Sequence, residues 1–157
     1  MQYLKKKIIN KKISIAIIGI GYVGLPLCLR FLKTGYKVYG IDKDINKIKN
    51  IRKGKSYISS IKNKEIKYAI SKKFEPTNDF SVVKKVDIII FCLPTPINKN
   101  KDPDMNYIND GINKIKNYIK KHQVICLEST VYPGATEELF LPIFKKKNLE
   151  PGKDIFL

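Results

Sequence analysis

A chain of 157 residues that is 43% hydrophobic is long enough for one ordinary domain with its own core and too short for two comfortable ones. Its apolar runs, Ile15 to Ile20 and Ile88 to Leu93, are strand-sized and exclude a helical membrane span. The formal net charge of +17 is a field that attracts nucleic acid, but its distribution argues against a specific reader, because only Arg30 and Arg52 are arginines and the lysines are spread along the whole chain instead of clustering.

Residues 1–12 read as a basic lead-in without the apolar stretch of an export signal, so a cytoplasmic location is expected. A continuous run of mostly β-branched apolar residues, Ile13 to Gly19, predicts a strand buried on both faces, followed by a Gly-rich turn. Apolar spacing over Val23 to Lys33 predicts a helix that starts near Tyr22, tolerates Pro26 in its first turn and stops at Thr34-Gly35. Lys37 to Ile41 is the second predicted strand, and Asp44 can cap a helix running to about Lys53, broken by Gly54-Lys55-Ser56. Ile61 to Ser71 is a lysine-rich helix candidate, Phe74-Glu75 a short strand, and Asn78 the cap of a short helix ending near Lys85. Val86 to Leu93 reads as a central strand, then a proline-punctuated loop from Pro94 to Pro103, a helix over Asn106 to Lys120 and a third central strand, Val124 to Leu127. A last helix, Thr136 to Lys147, precedes Asp154 to Leu157, where another strand begins. Strands alternating with helices predict an α/β fold, a doubly wound parallel sheet with right-handed crossovers. Cys28, Cys92 and Cys126 are widely spaced with no C-x-x-C pair, which argues against a disulfide framework or a zinc site and for small core residues.

The turn Gly19-Ile20-Gly21-Tyr22-Val23-Gly24 has the G-x-G-x-x-G spacing of a dinucleotide fingerprint. Three glycines alone are weak evidence. Here they follow a buried-type strand, open a helix and precede Asp42, which lies 18 positions beyond Gly24 at the end of the next strand. That context predicts a Rossmann-type domain over residues 13–157. Gly19 allows the tight turn, Gly21 lets the backbone approach a pyrophosphate, and Gly24 lets helix and strand pack closely. The helix N-terminus offers amides from Tyr22 and Val23 to the anionic diphosphate. Asp42 favours NAD over NADP: its carboxylate accepts ribose hydroxyls, whereas a 2′-phosphate beside it would be opposed by on the order of 4 kcal/mol per unit charge at 4 Å and an effective dielectric of 20.

Four segments extend the pattern: Gly19 to Leu27 (GIGYVGLPL), Phe91 to Pro96 (FCLPTP), Asp102 to Met105 (DPDM) and Glu128 to Gly134 (ESTVYPG). In this order they resemble the N-terminal, NAD-binding domain of the UDP-glucose/GDP-mannose dehydrogenase family. The Leu-Pro-Thr-Pro loop, the Asp-Pro-Asp-Met stretch and Thr136-Glu137-Glu138 are most similar to the bacterial branch that oxidises UDP-N-acetylhexosamines. The resemblance implies that Thr95 lies along the cofactor, that Lys47 is the basic residue near the adenosine end, and that Thr130 takes part in catalysis by helping to position water near the nicotinamide. A second reading of Thr130, a cap for the turn before the next helix, stays open.

The family oxidises a sugar C6 alcohol to a carboxylate with two NAD, holding the intermediate on a cysteine thiol. None of the three cysteines matches the Gly-rich segment around that nucleophile. The resemblance therefore implies that the nucleophile, the central helix used for dimerisation and the UDP-binding domain belong to sequence beyond Leu157, that this chain is a fragment inactive by itself, and that the whole enzyme is a homodimer or higher homo-oligomer taking a UDP-sugar. A noncatalytic NAD-binding or sensor module, or a decayed gene fragment, fits the same residues. No metal and no specific nucleic acid or membrane partner is expected.

Overall fold

Strand β1 (Ser14–Ile18) has almost no polar side chains, and its alternation splits them between two cores: Ile15 and Ile17 enter one apolar cluster, Ala16 and Ile18 the other. A strand covered on both faces must be apolar on both. The computed structural model describes residues 2–97 and 103–157. In it β1 is joined by β2 (Lys37–Ile41), β3 (Phe74–Thr77), β4 (Ile88–Phe91) and β5 (Val124–Leu127) in one sheet of order β3-β2-β1-β4-β5, every pair parallel. The helices are α1 (Gln2–Ile9), α2 (Gly24–Lys33), α3 (Ile45–Arg52), α4 (Asn63–Ser71), α5 (Asn106–Ile115) and α6 (Ala135–Lys146), with a 3₁₀ helix at Phe80–Lys85.

Helices α2, α3 and α4 bury Leu25, Leu29, Ile48, Ile51 and Ile66 against the face of Ile15 and Ile17. The 3₁₀ helix, α5 and α6 bury Val83, Ile108, Ile112, Phe140 and Phe144 against the other face, where the Phe91 and Phe140 rings meet edge-on at 5.5 Å. Because the chain leaves β1 toward one face and leaves β4 toward the other, the strand order reverses between these neighbours. At such a switch point the carboxyl ends of the strands open a crevice. The doubly wound α/β prediction holds.

Several local expectations change. The basic lead-in carries a helix of its own, α1, docked at the amino edge of the sheet by buried Leu4 and by Lys7, which pairs with the Asp87 carboxylate that also accepts from Ser14 N at 2.9 Å. Helix α2 begins at Gly24, not near Tyr22, with Val23 as its cap residue. The short helix before β4 is capped by Asp79, whose side chain accepts from Ser81 N at 2.8 Å, and not by Asn78. Helix α5 ends at Ile115 instead of Lys120. Strand β5 is not central: among the described residues its outer side carries one parallel bridge, Val124 to Phe156, within the expected strand at Asp154 to Leu157. The loop expected over Pro94 to Pro103 lies partly outside the described residues; its described ends meet in an Ile97–Pro103 bridge. Among the described residues no helix is long and apolar enough to cross a membrane.

Candidate functional site

Gly19 leaves β1 with a φ of +92°, a region that disfavours any side chain, and a Cβ there would lie 2.5 Å from the Cys92 carbonyl oxygen. Gly24 opens α2 directly beneath the turn, where a Cβ would come within 1.9 Å of the Gly19 carbonyl oxygen. Gly21 differs: a Cβ built on it meets nothing within 4 Å, because its backbone faces open space. Gly24 is therefore confined by packing, whereas Gly21 leaves its backbone open. Tyr22 and Val23 stand before the first turn of α2, 79% and 61% exposed, and their N–H groups have no backbone acceptor among the described residues. Such amides at a helix start favour an anion.

A crevice of about 500 Å³ follows the carboxyl edge of the sheet from this turn. Gly19, Gly21, Tyr22 and Val23 line one part, Asp42 and Lys47 another, and Thr95 and Thr130 a third. Of the predicted site residues, Gly24 is the exception: it lies beneath the crevice, against Gly19. Asp42 is 7% exposed, and its position at the end of β2 gives its carboxylate three partners. Ile20 N donates at 3.2 Å, Asp44 N at 3.0 Å and the Lys47 ammonium at 3.0 Å. A carboxylate has about four acceptor positions, so roughly one remains for a ligand hydroxyl. Asp42 thus also ties the end of β1 to the end of β2, a duty its spacing does not reveal.

Across the crevice, Ser129 Oγ donates to the Leu93 carbonyl at 2.8 Å and accepts from Leu93 N at 3.1 Å. This pair of hydrogen bonds holds the Thr95 loop against the Thr130 loop. Thr130 is exposed, and α6 starts after Gly134, which caps it in a left-handed conformation with no side-chain bond; Thr130 does not cap this helix. At the mouth, Lys43 stands 4.0 Å from Asp110 and 5.1 Å from the centre of the Tyr107 ring, linking the end of β2 to α5. Tyr107, Asp110 and Gly111 share the crevice side of α5 at helical spacing, a periodicity visible in the sequence; the Ser129–Leu93 pairing has no local signal.

The cysteines are not activated. Cys28 is fully buried, as expected of a core residue, but Cys92 and Cys126 are only half-buried, and Cys92 lines the crevice. Burial, followed by the Glu128 charge, pushes the Cys92 thiol up to about 11. Burial and then a hydrogen bond to Glu128 push Cys126 up to about 12. The thiol, not the thiolate, is therefore the form at neutral pH, the opposite of what a nucleophile needs. Iodoacetamide at pH 8 is expected to modify Cys92 about a hundredfold more slowly than a free cysteine thiol, as the lost thiolate fraction requires; modification of the folded chain at the rate of free cysteine would contradict this environment.

Residues 13–155 match the UDP-glucose/GDP-mannose dehydrogenase family, NAD binding domain. The chain is 35% identical over 147 residues to a UDP-N-acetyl-D-glucosamine 6-dehydrogenase of Pseudomonas aeruginosa, covering 93% of this chain and 34% of that protein. It is 34% identical to a UDP-N-acetyl-D-mannosamine dehydrogenase of Methanococcus aeolicus, covering 98% of this chain and 34% of the relative. The solved UDP-D-ManNAc dehydrogenase of Pyrococcus horikoshii superposes with a TM-score of 0.83 at 30% identity, over 90% of this chain and 34% of that one. The chain spans about a third of the length of these relatives. With the sheet order, the glycine turn and Asp42 in agreement, the chain belongs to the UDP-glucose/GDP-mannose dehydrogenase family and carries its NAD-binding domain.

Proposed function

We propose that this chain binds NAD in the crevice at the carboxyl edge of its sheet and serves as the cofactor domain of a UDP-sugar 6-dehydrogenase of the UDP-N-acetylglucosamine or UDP-N-acetylmannosamine type. The observation that carries this reading is the convergence of the glycine turn, Asp42 and the Thr95 and Thr130 loops on one crevice. The fit to a dinucleotide rests on the open backbone at Gly21 and on the amides of Tyr22 and Val23, which suit a diphosphate. Gly19 and Gly24 shape the turn, Asp42 accepts from the adenosine ribose, Lys47 holds Asp42 beside the adenosine end, and Thr95 lies along the cofactor. NAD supplies the hydride acceptor for oxidation of the sugar C6 alcohol. Thr130 is the assigned catalytic participant, its hydroxyl positioning water near the reacting end.

The names of the relatives support the substrate class, and their greater length supports a whole enzyme in which further sequence provides the sugar site, the nucleophile and a homo-oligomeric interface. Residues 13–157 act as the cofactor-binding unit of that enzyme, and three free cysteines suit the reducing cytoplasm. Calorimetry on the 157-residue chain is expected to record NAD binding, weaker binding of NADP, and no turnover when a UDP-N-acetylhexosamine is added. Absence of heat with NAD, or tighter binding of NADP, would overturn the assignment of this crevice.

A further inference from the structure

We infer that Tyr57 is a positioning residue for the glycine turn: its hydroxyl donates to the Ile20 carbonyl and thereby fixes the Ile20–Gly21 peptide plane, which orients the Gly21 N–H and the entry of the chain into the turn. The peptide unit is planar and trans, so its N–H points away from its C=O. Once the Ile20 oxygen is held by Tyr57, the Gly21 N–H is directed to the opposite side of the chain. The same residue is held from its other end, because Ile20 N donates to Asp42 at 3.2 Å.

The contact belongs to a closed circuit. Asp42 accepts from the Lys47 ammonium at 3.0 Å, and that ammonium lies 6.0 Å from the centre of the Tyr57 ring. Tyr57, Ile20, Asp42 and Lys47 therefore fix one another around the start of the turn. Burial, then the neighbouring Asp42 charge, raises the Tyr57 phenol well above its usual range, which keeps it protonated as a donor.

The segment that delivers Tyr57 has neither helix nor strand, yet it is pinned on both sides. Ser56 N donates to Asn63 Oδ1 at 2.8 Å, Ser56 Oγ donates to the Ile58 carbonyl at 3.0 Å, and Ile58 and Ile61 are buried in the core. The Gly54-Lys55-Ser56 break after α3 is thus the start of a support for the turn. A buried tyrosine generally finds some partner for its hydroxyl; here the partner is a carbonyl inside the segment that meets the cofactor.

The consequence for binding rests on the NAD reading above, so the test has two arms. Tyr57→Phe keeps the ring, its packing and the Lys47 contact, and deletes the hydroxyl. It is expected to raise the Kd for NAD about fivefold, the effect of one neutral hydrogen bond. In the ligand-free protein it is expected to shift the amide resonances of Gly21 and Tyr22, leaving those of α5 and α6 in place. An unchanged Kd together with unmoved Gly21 and Tyr22 resonances would overturn the inference, even if the melting temperature fell. If the wild-type chain bound no NAD, the cofactor reading would fail, and the ligand-free resonances would still decide the role of Tyr57.

Discussion

Gly24→Ala is expected to destabilise the domain by about 3 kcal/mol or more, a midpoint loss of about 6–12 °C for a chain of this size. The added methyl would sit 1.9 Å from the Gly19 carbonyl oxygen, 3.0 Å from its carbon and 3.2 Å from Cys92 Cβ. Two of these three neighbours are backbone, so no rotamer change relieves the clash, and α2 must move off β1. Gly21→Ala is the matched control, because its methyl meets nothing within 4 Å and its φ is not in the left-handed region. Its midpoint should stay within about 2 °C of wild type, as for an ordinary surface change, while NAD affinity falls tenfold or more. Thermal melts and calorimetry on the two variants check both statements. If Gly21→Ala bound NAD normally, close approach of the diphosphate to this backbone would be refuted.

Replacing Asp42 by serine should change which cofactor is preferred and weaken the fold at the same time. The repulsion of on the order of 4 kcal/mol estimated for a phosphate charge 4 Å away is an upper figure once solvent enters the crevice, so the NADP-to-NAD affinity ratio is expected to rise on the order of a hundredfold. Lys47, released from its bond to the carboxylate, becomes available to the 2′-phosphate. The stability loss has a separate origin: Ile20 N–H loses its acceptor in a buried place, at a cost of about 1–3 kcal/mol. Parallel NAD and NADP titrations with a thermal melt separate the two effects. A variant that kept the wild-type cofactor ratio would show that selectivity resides elsewhere.

The elements that sequence reading found most accurately are those bounded by strong local signals. Lys37–Ile41 lies between the Gly35 helix end and Asp42, and Asp44 caps α3 through its own side chain. Where two capping residues stood side by side, local chemistry could not choose. Asn78 and Asp79 are equally suited, but β3 pairs through Thr77, and the Thr77 hydroxyl accepts from Asp79 N, which sets Asp79 at the start of the 3₁₀ helix. Helix α1 was illegible for another reason: it is held by Leu4 in the core and by the long-range pair of Lys7 with Asp87. In the site, the fingerprint residues were readable because their spacing is a backbone requirement. The roles of Ser129 and Tyr57 depend on carbonyls 36 and 37 residues away, a relation that no window of sequence contains.

The sheet order has a further consequence during synthesis. The β2 partner of β1 is complete once Lys37–Ile41 has been made, but the other edge of β1 belongs to β4, which begins only at Ile88. At a translation rate of ~5–20 residues per second, an isoleucine-rich edge stays unpaired for on the order of several seconds. An open apolar edge is a template for pairing with other chains. The strand that anchors the cofactor turn is therefore also the nascent chain's exposure to aggregation, and slower translation between Ile41 and Ile88 would lengthen it.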